Sequence, residues 1–189
     1  MTNLKNEVLT TPKGRAIFPW LTNADIQFDS EGKFHTKLEC EKTECEKIIS
    51  AINGEIAKQV KAQHELDPNK KITYANKPYS ISDDGKCVFK LQTKFKPNLL
   101  DNNMKALAND VQIWKDSVVR ITFETYGYNQ AVGIGCKLYP LTVQVLELVT
   151  GSPNAKLGDL KVEPDVEPKE KQEINLWLGE KQKTWSSME

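Results

Sequence analysis

The chain has 189 residues, enough for one domain with a real core plus an extension. Lys+Arg and Asp+Glu balance at 26 each, so overall charge names no partner, but from Asp159 onward eight acids face five lysines, a net −3 that leaves the body at +3. No apolar run is long enough to cross a membrane as a helix, and Met1–Arg15 lacks an apolar signal segment, so the expectation is a cytoplasmic protein with no membrane partner.

Residues 1–13 read as a loose arm. From Gly14 to Phe28 the chain reads as a strand, with Ala16, Phe18 and Trp20 alternating, then Ala24, Ile26 and Phe28; Pro19 signals an edge or a bulge. Asp29–Gly32 is a turn. Lys33–Glu41 is the partner strand, with Phe34, Thr36, Leu38 and Cys40 on one face and Lys33, His35, Lys37 and Glu39 on the other.

Thr43 and Glu46 have the spacing of a capping box. Cys45, Ile48, Ile49, Ile52, Ile56 and Val60 then form a stripe of spacing three and four, so a helix is predicted to about His64, stopping before Asp67-Pro68. Residues 67–85 read as a long loop containing Lys77-Pro78-Tyr79. The next strand, CVFKLQTKFK, puts Cys87, Phe89, Leu91, Thr93 and Phe95 on one face and Lys86, Val88, Lys90, Gln92, Lys94 and Lys96 on the other. Four lysines on one strand face repel one another unless an anion backs them. The alternative is a solvated edge strand guarded by lysine against aggregation.

Residues 97–116 read as a mixed loop or short helix. SVVRITFETYGYNQAVGIGCKLYPLTVQVLEL, residues 117–148, then reads as two or three strands. Val119, Ile121 and Phe123 alternate with Arg120, Thr122 and Glu124; Val132, Ile134, Cys136 and Leu138 are expected inward, with Gly133, Gly135, Lys137 and Tyr139 outward. Tyr126–Gln130 is read as the turn between the first two strands, and Pro140 as an interruption before LTVQVLEL. Two tyrosines at a turn beside basic strands suit a stacking platform for single-stranded nucleic acid; capping the end of a barrel core is the alternative. Residues 151–189 read as a charged tail, in which Ile174, Trp177 and Leu178 make a short apolar cluster that either docks on a partner or folds back.

The cysteines Cys40, Cys45, Cys87 and Cys136 sit at apolar-face positions, as reduced core cysteines do. His35 points to the opposite strand face from Cys40, so no zinc site is expected, and nothing calls for a cofactor.

Two strands, a helix, one strand, then two or three strands make a mainly β protein. The expected fold is an OB-fold-like, five- to six-stranded antiparallel barrel over residues 14–150, with one main α-helix between strands two and three. Lys86, Lys90, Lys94, Arg120 and Lys137 are candidates for tracking phosphates. Tyr126 and Tyr128, with Tyr79 and Trp20, are candidates for stacking on bases, and Lys77 lies beside Tyr79.

DDGKCVFKLQTKFK followed by residues 117–148 resembles the replication single-stranded DNA-binding proteins of tailed phages, the OB-fold kind found in podoviruses. The telling part is an aromatic pair followed by Asn, a small residue and Ala-Val-Gly, matched by Tyr126, Tyr128, Asn129, Ala131, Val132 and Gly133. The resemblance covers roughly residues 14–150. It implies a non-enzymatic protein in the host cytoplasm that coats single-stranded DNA in replication, recombination or repair, contacts DNA at Tyr126 and basic residues, and meets replication proteins through its tail. This tail departs from the family's strongly acidic pattern: lysines interrupt it, and Trp185 lies short of the end at Glu189.

An enzyme is disfavoured, because the chain has two histidines and no G-x-S-x-G, phosphate loop or H-E-x-x-H. A phage structural or assembly protein that self-associates through its barrel is the rival reading. Oligomeric state, homodimer included, is open.

Overall fold

A computed structural model describes residues 7–27 and 29–149. The tail, the first six residues and Phe28 lie outside the described residues. In chain order come β1 (Val8–Thr10), β2 (Gly14–Asp25), β3 (Lys33–Glu41), a 3-10 turn (Lys42–Glu44), α1 (Glu46–Leu66), β4 (Tyr79–Ile81), β5 (Lys86–Thr93), β6 (Asn98–Leu100), β7 (Val118–Gln130) and β8 (Gly133–Glu147). They form one sheet in the order β4-β5-β3-β2-β7-β8-β6, with β1 added to β7. Every pairing between these strands is antiparallel except β6 with β8. Lys90 and Gln92 of β5 line one cavity together with Lys137 of β8, so the sheet curls until those strands face each other. The mainly β architecture with one helix between the second and third long strands is as predicted. Five strands are long, and the three short ones, β1, β4 and β6, are additions to the predicted set.

Period-two alternation builds the interior. Leu38, Phe89, Leu91, Val119, Ile121 and Phe123 are fully buried, and burial of each is worth about 1.5–3 kcal/mol. Helix α1 buries Ile48 and Ile52 against this core. The capping box does not form. The 3-10 turn delays the helix start to Glu46, with Cys45 at the N-cap position; its thiol donates to the Glu41 carbonyl at 3.2 Å. The helix closes two residues later than predicted, at Leu66.

Several predicted faces are corrected. Between Ile17, opposite Lys37, and Trp20, opposite His35, β2 holds one residue more than β3. That bulge is taken up at Phe18, whose φ is +50°, and it puts Trp20 on the outer face while Ala16 stays buried. Strand β5 ends at Thr93, so Phe95 is 82% exposed instead of inward. Residues 97–116 contain β6 and turns but no helix. The arm read as loose contributes β1, paired to β7. Strand β8 runs through Pro140 without a break, the register shifting beside it.

Candidate nucleic-acid interface

The tyrosine-bearing segment is strand, not turn. Strand β7 continues to Gln130, and the turn is Ala131–Val132, which leaves Val132 67% exposed. Tyr126 and Tyr128 are therefore two apart on one strand face. They stand opposite Lys137 and Gly135 of β8. The residues between and beyond them face the helix. A Cβ on Gly127 would come 2.9 Å from Cγ of Gln59, and Asn129 Nδ2 donates to Gln63 Oε1 at 2.7 Å. Helix α1 thus supports one face of the hairpin and leaves the other to solvent.

On that open face Tyr128 lies over Gly135, where a Cβ would come 2.5 Å from its hydroxyl oxygen. Lys137 Nζ lies 5.1 Å from the Tyr128 ring centroid, a cation–π contact. Tyr126 is 45% exposed, its ring centroid 5.8 Å from that of Tyr139. Burial pushes the Tyr139 hydroxyl pKa up, and Tyr126 and Tyr128 add to the shift, so the phenol stays neutral. The 67–78 loop closes one end. Ala75 N–H donates to the Ile134 carbonyl at 2.9 Å, and Ile134 N–H to the Thr73 carbonyl at 2.8 Å. Gly133, at φ +111°, permits this approach, since a Cβ there would meet the Thr73 carbonyl oxygen at 2.7 Å.

Two cavities share Gln92 and Lys137 and form one groove between β5 and β8. One, of about 380 Å³, includes Tyr74, Lys77, Lys90 and Tyr128 in its lining. The other, of about 480 Å³, includes Lys33, Lys94, Phe95, Lys96, Glu124 and Tyr139. Beside them, Lys37 stands directly opposite Lys90 across β3 and β5.

Of the sequence candidates, Lys77, Lys90, Lys94, Tyr128 and Lys137 line the groove, and Tyr126 flanks it. Lys94 is ion-paired with Glu31, and Lys86, at the far end of β5, with Glu41; each hydrogen bond raises the lysine pKa. Tyr79 turns inward beside Phe89, with its hydroxyl 3.5 Å from Asn53 Oδ1, and Lys77 Nζ lies 5.4 Å from its ring. Arg120 lies outside the groove, opposite Gln144. Trp20 is on β2, two strands from β5, 40% exposed, its ring 6.5 Å from His35. Sequence reasoning passed over Lys37 and Tyr139, both legible as outward residues, and Tyr74 and Phe95, which nothing in the local pattern marks.

Three thiols, Cys40, Cys45 and Cys87, are buried and free, as is Cys136. Burial raises their pKa values, to about 12 for Cys45 and about 11 for Cys136, so they remain thiols.

No family model matches the chain, and no curated protein matches it in sequence. Among solved structures, the crystal structure of gp2.5, a single-stranded DNA-binding protein encoded by bacteriophage T7, superposes with a TM-score of 0.68 at 18% identity. That match covers 86% of this chain and all (100%) of the other. The fold is that of a phage single-stranded DNA-binding protein. The single-stranded DNA-binding protein of bacteriophage Enc34 has it too. Its complex with single-stranded DNA matches with a TM-score of 0.57 at 14% identity, over 76% of this chain and 88% of that one. A C-terminal truncation of the Enc34 protein gives 0.55 at 16% identity, over 77% and 88%.

Proposed function

We propose that this chain is a sequence-independent single-stranded DNA-binding protein, acting in phage DNA replication, recombination or repair by neutralising phosphates and stacking on bases. The observation that carries the reading is the Lys37–Lys90 pair. These like charges sit opposite each other on adjacent strands, both exposed, with no carboxylate within ion-pair distance among the described residues. Such a pair is destabilising on its own. A phosphate between the two ammonium groups turns repulsion into attraction. Lys137 and Lys77 continue the positive track along the groove, and Tyr126, Tyr139 and Tyr74 offer ring faces beside it. Trp20, past His35, extends the aromatic surface on the far side of the lysine row.

Binding is non-enzymatic in this reading and needs no cofactor. The solved structures of the same fold support it, since the T7 and Enc34 proteins bind single-stranded DNA and one structure holds it. The binding domain spans residues 14–150, extended by β1. The tail serves as a contact for replication proteins, and the site of action is the host cytoplasm.

The test is tryptophan and tyrosine fluorescence during titration with an oligo-dT at low and moderate salt. Saturating quenching is expected, with affinity falling on a log–log slope of about −3 for roughly four neutralised phosphates. No quenching and no gel shift at low salt, with a large assembly on sizing, would replace this reading by the self-associating structural one.

A further inference from the structure

The groove contains one residue that works against its general charge. We propose that Glu124 reads the edge of a bound base and gives the groove a preference for cytosine over thymine. The inference rests on the DNA-binding reading and adds to its general, sequence-tolerant binding a modest base bias at one subsite of the same groove.

Glu124 is the one carboxylate among the residues lining either cavity. It is half-buried, stands opposite Tyr139 on the outer face, and has no ion-pair or hydrogen-bond partner among the described residues, although Lys94 and Lys137 line the same cavity. A carboxylate there repels every phosphate that enters the groove. A merely charge-balancing role would pair it with a lysine, as Glu31 pairs with Lys94 and Glu41 with Lys86.

The cavity around it suits a base. It measures about 480 Å³, with Phe95 82% exposed and Leu141 38% exposed at its apolar lining, and Tyr139 beside Glu124. A base seated between these groups turns its polar edge toward the carboxylate. An ionised carboxylate only accepts hydrogen bonds. The N4 amino group of cytosine and the N6 amino group of adenine donate to it, whereas thymine presents the O4 carbonyl at the corresponding position.

The experiment is competition binding at neutral pH with equal-length homo-oligonucleotides of dC, dT and dU. The dU strand separates the amino group from the thymine methyl. Wild type is expected to bind dC about two- to tenfold more tightly than dT or dU, the range of one net hydrogen bond. Glu124→Ala is expected to tighten dT and dU binding, by removing the repulsion, and to erase the dC preference. Glu124→Gln, which keeps the side-chain size, guards against a packing artefact and should also lose the preference. A wild type that binds dC, dT and dU equally, or a dC preference that persists unchanged in both variants, would overturn the role of Glu124 alone. Failure of the wild type to bind any of the strands would overturn the DNA-binding reading itself.

Discussion

Lys37 and Lys90 face each other across β3 and β5, in a row that continues on β2 to Ile17. Stability and binding pull this row in opposite directions. Lys37→Glu creates a cross-strand ion pair with Lys90 and is expected to stabilise the fold by about 0.2–1 kcal/mol. The same change should weaken single-strand binding about tenfold or more, since it removes one phosphate contact and adds a repulsion. Denaturant unfolding beside an oligo-dT titration checks both; a variant that is less stable and binds normally would remove this row from the site.

The lysines of the basic face are not equivalent. Lys137 lines both cavities without a carboxylate partner among the described residues, whereas Lys86 is tied to Glu41 at the far end of β5. Lys137→Gln is expected to reduce the steepness of the salt dependence by about 0.7 on the log–log plot, the value of one phosphate on a single strand. Lys86→Gln should leave the slope where it is. Equal effects from the two would show that position in the groove is irrelevant.

Gly135 is required by contact, not by backbone conformation. Its missing Cβ leaves room for the hydroxyl end of Tyr128, which a methyl would approach to 2.5 Å. Gly135→Ala should therefore push the Tyr128 ring off the strand and disturb the Lys137 ammonium above it. The expected cost is about 1–3 kcal/mol in stability, as for overpacking elsewhere. The affinity should fall as well. Gly54 is the contrasting control: a Cβ there meets nothing within 4 Å, so Gly54→Ala should stabilise the helix by about 1 kcal/mol and leave binding alone.

The buried thiols make the fold sensitive to alkali. A thiol whose pKa is raised by folding holds its proton in the native state, so its contribution is fully present below the unfolded value of 9.0. It is lost as pH rises, up to about 11 for Cys136 and about 12 for Cys45. Stability should decline above pH 9.0, less so in Cys136→Ala than in wild type when each is normalised to its neutral-pH value. Iodoacetamide at neutral pH should modify these cysteines only upon unfolding. Rapid labelling of the native protein would contradict their burial.

Phe18 holds a left-handed backbone that a bulky side chain rarely adopts, with its ring 61% exposed. Phe18→Gly removes a conformational cost of roughly 1–2 kcal/mol and keeps the bulge. The melting temperature should stay level or rise, because the gain offsets the lost partial burial and the greater freedom of glycine when unfolded. A marked fall would mean that the ring itself holds the bulge in place.

The sequence alone determined the parts of this protein that repeat. Period-two alternation located β3 at Lys33–Glu41, the inward residues Phe89, Leu91, Ile121 and Phe123, and the outward lysines, because a pleated strand must send neighbouring side chains to opposite faces. The apolar stripe located α1 for the same kind of reason, and the order of these elements made an OB-like barrel the economical fold. Tertiary structure decided whatever depends on where a repeat stops or slips. The bulge at Phe18 is one extra residue in β2 that matters only against β3, and it sets which face Trp20 joins. The end of β5 at Thr93 exposes Phe95, and the late turn at Ala131–Val132 converts a supposed loop pair, Tyr126 and Tyr128, into one strand face. The groove itself comes from curling β5 toward β8, which brings Lys90 to the same cavity as Lys137 and leaves Arg120 and Lys86 outside it. Local periodicity fixes a residue's face; long-range pairing and curvature fix its neighbours, and a binding site is made of neighbours.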